Sequence, residues 1–182
     1  SPALFESRGP AVPPPPPISS PAHAGEHPRM PSYRKTRQLS EVDAAYIAGL
    51  IDGEGTIGLV RKHRNEYRQL GVLISSTELP LLEFVRTVCG TGYISRKKTT
   101  QSHHSQSYTY ALYNRQALDL LTQVHAFLRT YKRARSAIIL KDYLAVTPRN
   151  GKYSPQLLER KRAFEREFLS IKANMRQIPD SP

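Results

Sequence analysis

Apolar residues recur along this chain with two different periods, and the switches between them mark the elements. From Leu39 onward, Val42, Tyr46, Ile47, Leu50 and Ile51 follow one side of a helix. Ser40 with Asp43 three residues on is a variant of the box that caps helix starts. Gly53-Glu54-Gly55 must end this helix. Residues 56–60 and 67–75 then alternate as two strands around a charged tip, Arg61-Lys62-His63-Arg64-Asn65-Glu66. The helical period returns over 77–88, with Thr77 as expected cap and Pro80 in the first turn, and Cys89-Gly90-Thr91-Gly92 closes it. A second alternating pair, 93–97 and 108–113, flanks a Ser/Thr/His-rich loop. Asn114 is expected to cap a helix carrying Leu118, Leu121 and Val124, and another helix runs from about Tyr131 to Val146. Ser154-Pro155 opens the last, whose stripe Leu157, Phe164, Phe168, Ile171, Met175 is broken by Lys161. Helix, two strands, helix, two strands, helices: this order predicts an α+β domain with one four-stranded antiparallel sheet.

Residues 1–31 follow neither period. They hold ten of the 15 prolines, including the run Pro13 to Pro17, and read as a disordered polyproline segment. The expected division is a proline-rich segment over 1–38, a folded domain over 39–146 and a helical extension over 147–182. No internal repeat is visible. No stretch approaches the roughly 20 apolar residues of a membrane span. The single cysteine, Cys89, excludes a disulfide framework and a cysteine-rich zinc module. The start of the chain lacks a basic-then-apolar signal pattern, so the expected setting is intracellular.

Charge changes the picture next. Twenty-seven Lys and Arg against 15 Asp and Glu give +12, which calls for a polyanionic partner, nucleic acid or an anionic membrane surface. Only five basic and two acidic residues lie in 1–39, so most of the excess belongs to the folding part. The basic residues sit on alternating strands rather than along one amphipathic helix, which argues against the membrane surface.

The stretch that carries chemistry is Ile47-Ala48-Gly49-Leu50-Ile51-Asp52-Gly53-Glu54-Gly55. Ala45 and Gly49 lie one helical turn apart with Ala48 beside them, a bare strip that another backbone can approach closely. Two carboxylates, Asp52 and Glu54, stand at the helix end, where the helix dipole opposes them. That cost asks for a cation or a neighbouring donor. A plain glycine-rich helix stop is the competing reading.

This nonapeptide resembles the motif of the LAGLIDADG homing endonucleases: eight of nine positions match or change conservatively, with Ile47 for Leu and Glu54 for the second Asp. The resemblance continues through 70–88, Gly90-Thr91-Gly92-Tyr93, 108–124 and 127–144. It implies an αββαββα fold in which two motif helices pack across a twofold axis and a saddle of antiparallel sheet straddles DNA. By position it makes Glu54 the ligand of a catalytic magnesium, for which manganese can substitute, with the carbonyl of Gly53 nearby. Asp52 then buttresses the motif turn, and Ala45, Ala48 and Gly49 join two copies. Lys132, with Arg133 and Arg129 beside it, matches a lysine that acts on the scissile phosphate. Ser76 matches the water-organising residue after the second strand, with Ser75 or Glu78 as alternatives. One motif means two chains, so the expected form is a homodimer on a near-palindromic duplex, intron-encoded and located in a bacterial cytoplasm or an organelle with its own genome. No membrane partner and no organic cofactor are implied.

Alternation assigns the strand faces. With Ile57 and Leu59 inward, Thr56, Gly58, Val60 and Lys62 face the groove; with Leu70, Val72 and Ile74 inward, Gln69, Gly71, Leu73 and Ser75 do. On the second pair Ser95, Lys97, Thr109 and Ala111 face out. Gln69 is the expected adenine reader, and Lys62 or Lys97 can reach guanine. Arg61, Arg64, Arg68, Arg96 and Lys98 are the expected phosphate contacts. His103 and His104, adjacent in a polar loop, make a poor chelate. Two functions remain open: a metal-dependent, site-specific double-strand DNA endonuclease, and a non-cleaving nucleic-acid binder of the same fold, an intron RNA maturase or a DNA-binding regulator.

Overall fold

The computed structural model describes residues 33–61, 63–97 and 106–173. Helix α1 spans Glu41–Glu54, followed by strands β1 (Gly55–Val60) and β2 (Gln69–Ser76). Helix α2 (Leu79–Cys89) leads to β3 (Tyr93–Arg96) and β4 (Tyr108–Tyr113). Three helices follow among the described residues: α3 (Asn114–Val124), α4 (Tyr131–Asp142) and α5 (Pro155–Ser170), with a 3-10 turn, His125–Phe127, between the first two of these. The polyproline reading of 1–31, the His103-His104 pair and Met175 lie outside the described residues.

The sheet order is β1-β2-β4-β3, antiparallel throughout. This is the expected α+β architecture. Ile57, Leu59, Leu70, Val72, Ile74, Tyr110 and Leu112 form the buried face of the sheet. Ile47, Ala48 and Ile51 of α1, Leu82 and Val85 of α2, and Leu120, Leu121 and Val124 of α3 complete the core. The first turn of α1 is held as the sequence predicts, with the Ser40 hydroxyl accepting from the Asp43 amide at 3.1 Å. Residues 33–39 strap down on α3: Gln123 accepts from the Leu39 amide at 2.7 Å and donates to the Arg37 carbonyl at 3.1 Å.

Two expected caps are corrected. Thr77 does not cap α2; the helix starts at Leu79 after Glu78, whose amide donates to the Ser76 hydroxyl at 3.0 Å. Asn114 does not cap α3 with its side chain; it is the first helical residue, at φ 51. Lys161 interrupts the apolar stripe of α5 without leaving the core, being 1% exposed. Its ammonium donates to the Arg68 carbonyl at 3.1 Å and lies 3.6 Å from Glu165, so the charge is buried already paired.

Candidate functional site

The end of α1 and the start of α4 are interlocked. Asp52 and Glu54 are two residues apart on a helix, about 200° around its axis, so they point in opposite directions. Asp52 points to α4. Its carboxylate accepts from the Arg129 amide at 2.6 Å, the Thr130 hydroxyl at 2.6 Å and the Thr130 amide at 3.4 Å. Orphan amides at a helix start favour a carboxylate there. In return Lys132, on the first turn of α4, donates to the carbonyls of Ile51 and Asp52 at 2.7 and 2.9 Å. An acid at the end of α1 thus serves the beginning of α4, and a cation at the beginning of α4 serves the end of α1. That answers the dipole penalty noted from the sequence.

Glu54 is left free. It is exposed, as is Gly53, and it makes no hydrogen bond or ion pair among the described residues. Gly55 makes the turn into β1 possible, since a Cβ there would lie 2.6 Å from the Ile51 Cα. A free carboxylate beside an exposed backbone carbonyl is the hard oxygen donor set that magnesium or manganese takes together with water and phosphate oxygens. No group of three or more His, Cys, Asp or Glu suited to a metal occurs among the described residues. At the end of α1, one chain therefore offers one open carboxylate.

Three expectations about this site change. Lys132 is 5% exposed and two of its three donors are spent on carbonyls, so it does not project as a free phosphate ligand. Burial lowers its pKa, while Asp52 and then Glu54 act to raise it. Ser76 pairs opposite Tyr108 on the helix side of the sheet, and its hydroxyl takes the Glu78 amide. Ser75 is the residue on the open face, hydrogen-bonded to Thr109 at 2.9 Å. Ala48 is fully buried in its own core and cannot join a second chain. The free side of α1 is instead Val42 (78% exposed), Ala45, Tyr46, Gly49 and Gly53.

Within strands β1 to β4 the open face follows the predicted alternation and carries no charged side chain. Across the register it presents Ser95, Thr109 and Ser75; then Tyr93, Ala111, Leu73 and Thr56; then Tyr113, Gly71 and Gly58; and last Gln69 with Val60. Gly71 is needed here, because the Tyr113 ring lies over it 3.2 Å from where a Cβ would stand. Thr109 points outward but is only 7% exposed. The cations lie around this face: Arg61 and Arg64 at the β1–β2 loop, Lys97 after β3 and Arg133 on α4, all exposed.

Two arginines are placed otherwise than expected. Arg68 donates to the Leu59 carbonyl at 3.0 Å and lies 3.8 Å from Glu165, so it seals the outer edge of β1 against α5. Arg96 shares the helix side of the sheet with Ile94 and Tyr110, its guanidinium bonded to Gln106. Lys62 and Lys98 lie outside the described residues. The sequence signal missed altogether was Arg135, whose guanidinium bridges the carbonyls of Ile57 and Ile171 at 3.1 and 2.8 Å. It looks like one more helix-surface cation until α5 is in place.

No protein-family model matches the chain, and no curated protein matches it in sequence. Solved structures do match. The homing endonuclease I-CvuI, solved in complex with its DNA target, aligns with a TM-score of 0.58 at 17% identity, covering 76% of this chain and 87% of that one. The LAGLIDADG homing endonuclease I-SmaMI, solved bound to cleaved DNA, aligns with a TM-score of 0.52 at 17% identity, over 67% of this chain and 42% of that longer one. The chain therefore has the fold of the LAGLIDADG homing endonucleases, and the nonapeptide that resembles their motif lies along its first helix and into the turn to β1.

Proposed function

We propose that this protein is a site-specific double-strand DNA endonuclease that acts as a homodimer on a near-palindromic target. The observation that carries the reading is the division of labour between two neighbouring acids. Asp52 is fully engaged in holding α4, whereas Glu54 is exposed with no partner among the described residues. An unpartnered carboxylate opposed by its own helix dipole has no folding role, and a bound cation would answer that cost.

The rest of the site supports a shared arrangement. Gly49 sits inside a helix, where glycine costs about 1 kcal/mol relative to alanine. Yet outside its own helix turn nothing among the described residues lies within 4 Å of a Cβ placed there. A helix side of Val42, Ala45, Tyr46, Gly49 and Gly53 left bare on a single chain fits a twofold copy at close approach. That contact would bring two Glu54 carboxylates toward one duplex. Glu54 and the Gly53 carbonyl would hold magnesium or manganese, which when bound supplies Lewis acidity and an activated water at a scissile phosphate. Lys132 holds the carbonyls that precede Glu54 in place and adds positive potential beneath the site. The neutral sheet face reads base edges while Arg61, Arg64, Lys97 and Arg133 set register on phosphates.

One observation favours the non-cleaving alternative: the Lys132 donors and the Ser76 hydroxyl are turned to backbone groups. Selection of cut duplexes from a random library, with and without magnesium, separates the two readings. On the selected target Glu54→Gln should lower the cleavage rate about a thousandfold or more, with binding in calcium at fixed salt kept or strengthened. Near-wild-type cutting by that variant removes Glu54 from the chemistry. A wild-type chain that retains duplex but never cuts it with magnesium or manganese leaves the binder.

A further inference from the structure

Strand β4 ends at Tyr113, opposite Gly71 of β2. One residue further along, opposite Leu70, the chain reaches Asn114. There φ is 51, the one positive value at a non-glycine residue among those described. Asparagine tolerates this left-handed conformation, and it swings the backbone out of the ladder into α3. The Leu70 amide, which a continuing β4 would have received, donates instead to the Tyr143 hydroxyl at 3.0 Å. Tyr143 then donates to Asn114 Oδ1 at 3.0 Å, and Asn114 Nδ2 donates to Gln69 Oε1 at 2.7 Å.

The direction of this relay is fixed at its buried end. A backbone amide can only donate, so the Tyr143 oxygen accepts at that end and its proton must go elsewhere. Tyr143 is 2% exposed, and burial raises its pKa, so it keeps that proton. The proton needs an acceptor, which turns the Asn114 oxygen inward and its amide nitrogen toward Gln69. Gln69 in turn points its oxygen at Asn114. What remains of Gln69 for the open face, on the side opposite Leu70, is its Nε2 with N–H donors.

We infer that Gln69 is a donor-only base reader that selects guanine, with Asn114 and Tyr143 as the positioning residues that set its polarity. The inference rests on the DNA reading above and corrects the expectation that Gln69 reads adenine. Bidentate pairing with adenine needs the amide oxygen and nitrogen of Gln69 side by side toward the base, and here the oxygen is turned to Asn114 Nδ2. Guanine offers N7 and O6, both acceptors, to the two N–H groups left over, whereas cytosine offers a donor at N4.

The test is selection of bound duplexes from a random library, in calcium at fixed salt, by full-length wild-type, Gln69→Ala, Asn114→Asp and Asn114→Gly chains. Loss of preference in Gln69→Ala locates the position, once in each half-site, and the wild type should take guanine there. Asn114→Asp keeps size and tolerance of the left-handed backbone but offers only acceptors to its neighbours. Gln69 should then turn its amide nitrogen to the carboxylate and its oxygen to the groove. Selection at that position should move about tenfold or more toward cytosine or adenine, with other positions unchanged. Asn114→Gly, which suits φ 51, should flatten the preference while leaving the fold intact. Identical base preferences in the wild type and Asn114→Asp would overturn the relay while leaving DNA binding in place. A wild type that retains no duplex at any salt would overturn the DNA reading, and this inference with it.

Discussion

Two buried lysines hold this molecule together at opposite places, and they differ in how their charge is met. Lys161 lies between α5 and the β1–β2 hairpin, giving one donor to the Arg68 carbonyl with Glu165 3.6 Å away. Lys132 lies between α4 and α1, giving two donors to carbonyls, with no carboxylate within 4.0 Å among the described residues. Burial lowers the pKa of each. At Lys161 the cation is cancelled where it sits. At Lys132 the dipole of α1 steadies the cation, with Asp52 and Glu54 acting on it from further away. Lys161 thus closes an ion pair, while Lys132 ties down backbone carbonyls beside an acid, Glu54, that has no partner among the described residues.

The comparison breaks most clearly at Lys132. Lys132→Met keeps the volume of the stem but removes the ammonium, and cleavage should slow by about a hundredfold or more, the scale of losing one electrostatic stabiliser. Duplex affinity at fixed salt should change by a few fold only, because one cation among many contributes little. A variant that cuts at the wild-type rate would make Lys132 a joint like Lys161.

Lys161→Met should do the reverse. It strands the Arg68 carbonyl and leaves Glu165 with Arg68 alone at a largely buried contact, and unfolding in urea should register a loss of about 2–4 kcal/mol. Cleavage measured well below the melting temperature should be unchanged. A lower rate under those conditions would tie α5 to the chemistry.

The smallest effect is in the pH dependence of stability. A lysine whose folded pKa is lowered costs stability while both states carry its proton. The folded chain releases that proton first. Stability should therefore rise with pH between the lowered value and the ordinary one of 10.5. The difference in melting temperature between wild type and Lys132→Met should shift in favour of the wild type over that window. Lys161→Met should show the same sign, with Glu165 opposing the shift there as Asp52 and Glu54 do at Lys132. A flat difference for Lys132→Met would mean the ammonium is not desolvated.

Local chemistry was legible in the sequence, and long-range pairing was not. The capping of α1 by Ser40, the bounds of β4 and the two faces of β1 and β2 follow from periodicity, because each is decided within a few residues. The motif was legible too, including the charge problem at its end. What went unseen was which group resolves it: Thr130 and Lys132 reach the motif from about eighty positions away. Ala48 was misplaced because small residues on a helix read alike whether they meet their own core or another chain. Arg68 and Arg135 were unreadable for a related reason. The carbonyls of Leu59 and Ile57 that they take belong to the edge of β1, which only α5 and its flanks complete.

The interlock between Asp52 and α4 also has a meaning for synthesis. The motif helix is made before the residues that fasten its end, which lie 77 to 81 positions later in the chain. Closing so long a loop is among the slower steps of folding. A polypeptide interrupted before Thr130 would contain the whole nonapeptide and both acids, yet the turn that aims Glu54 would be unsecured. On the proposed function, a chain would become able to cut only once synthesis had passed Lys132, well after the motif itself is complete.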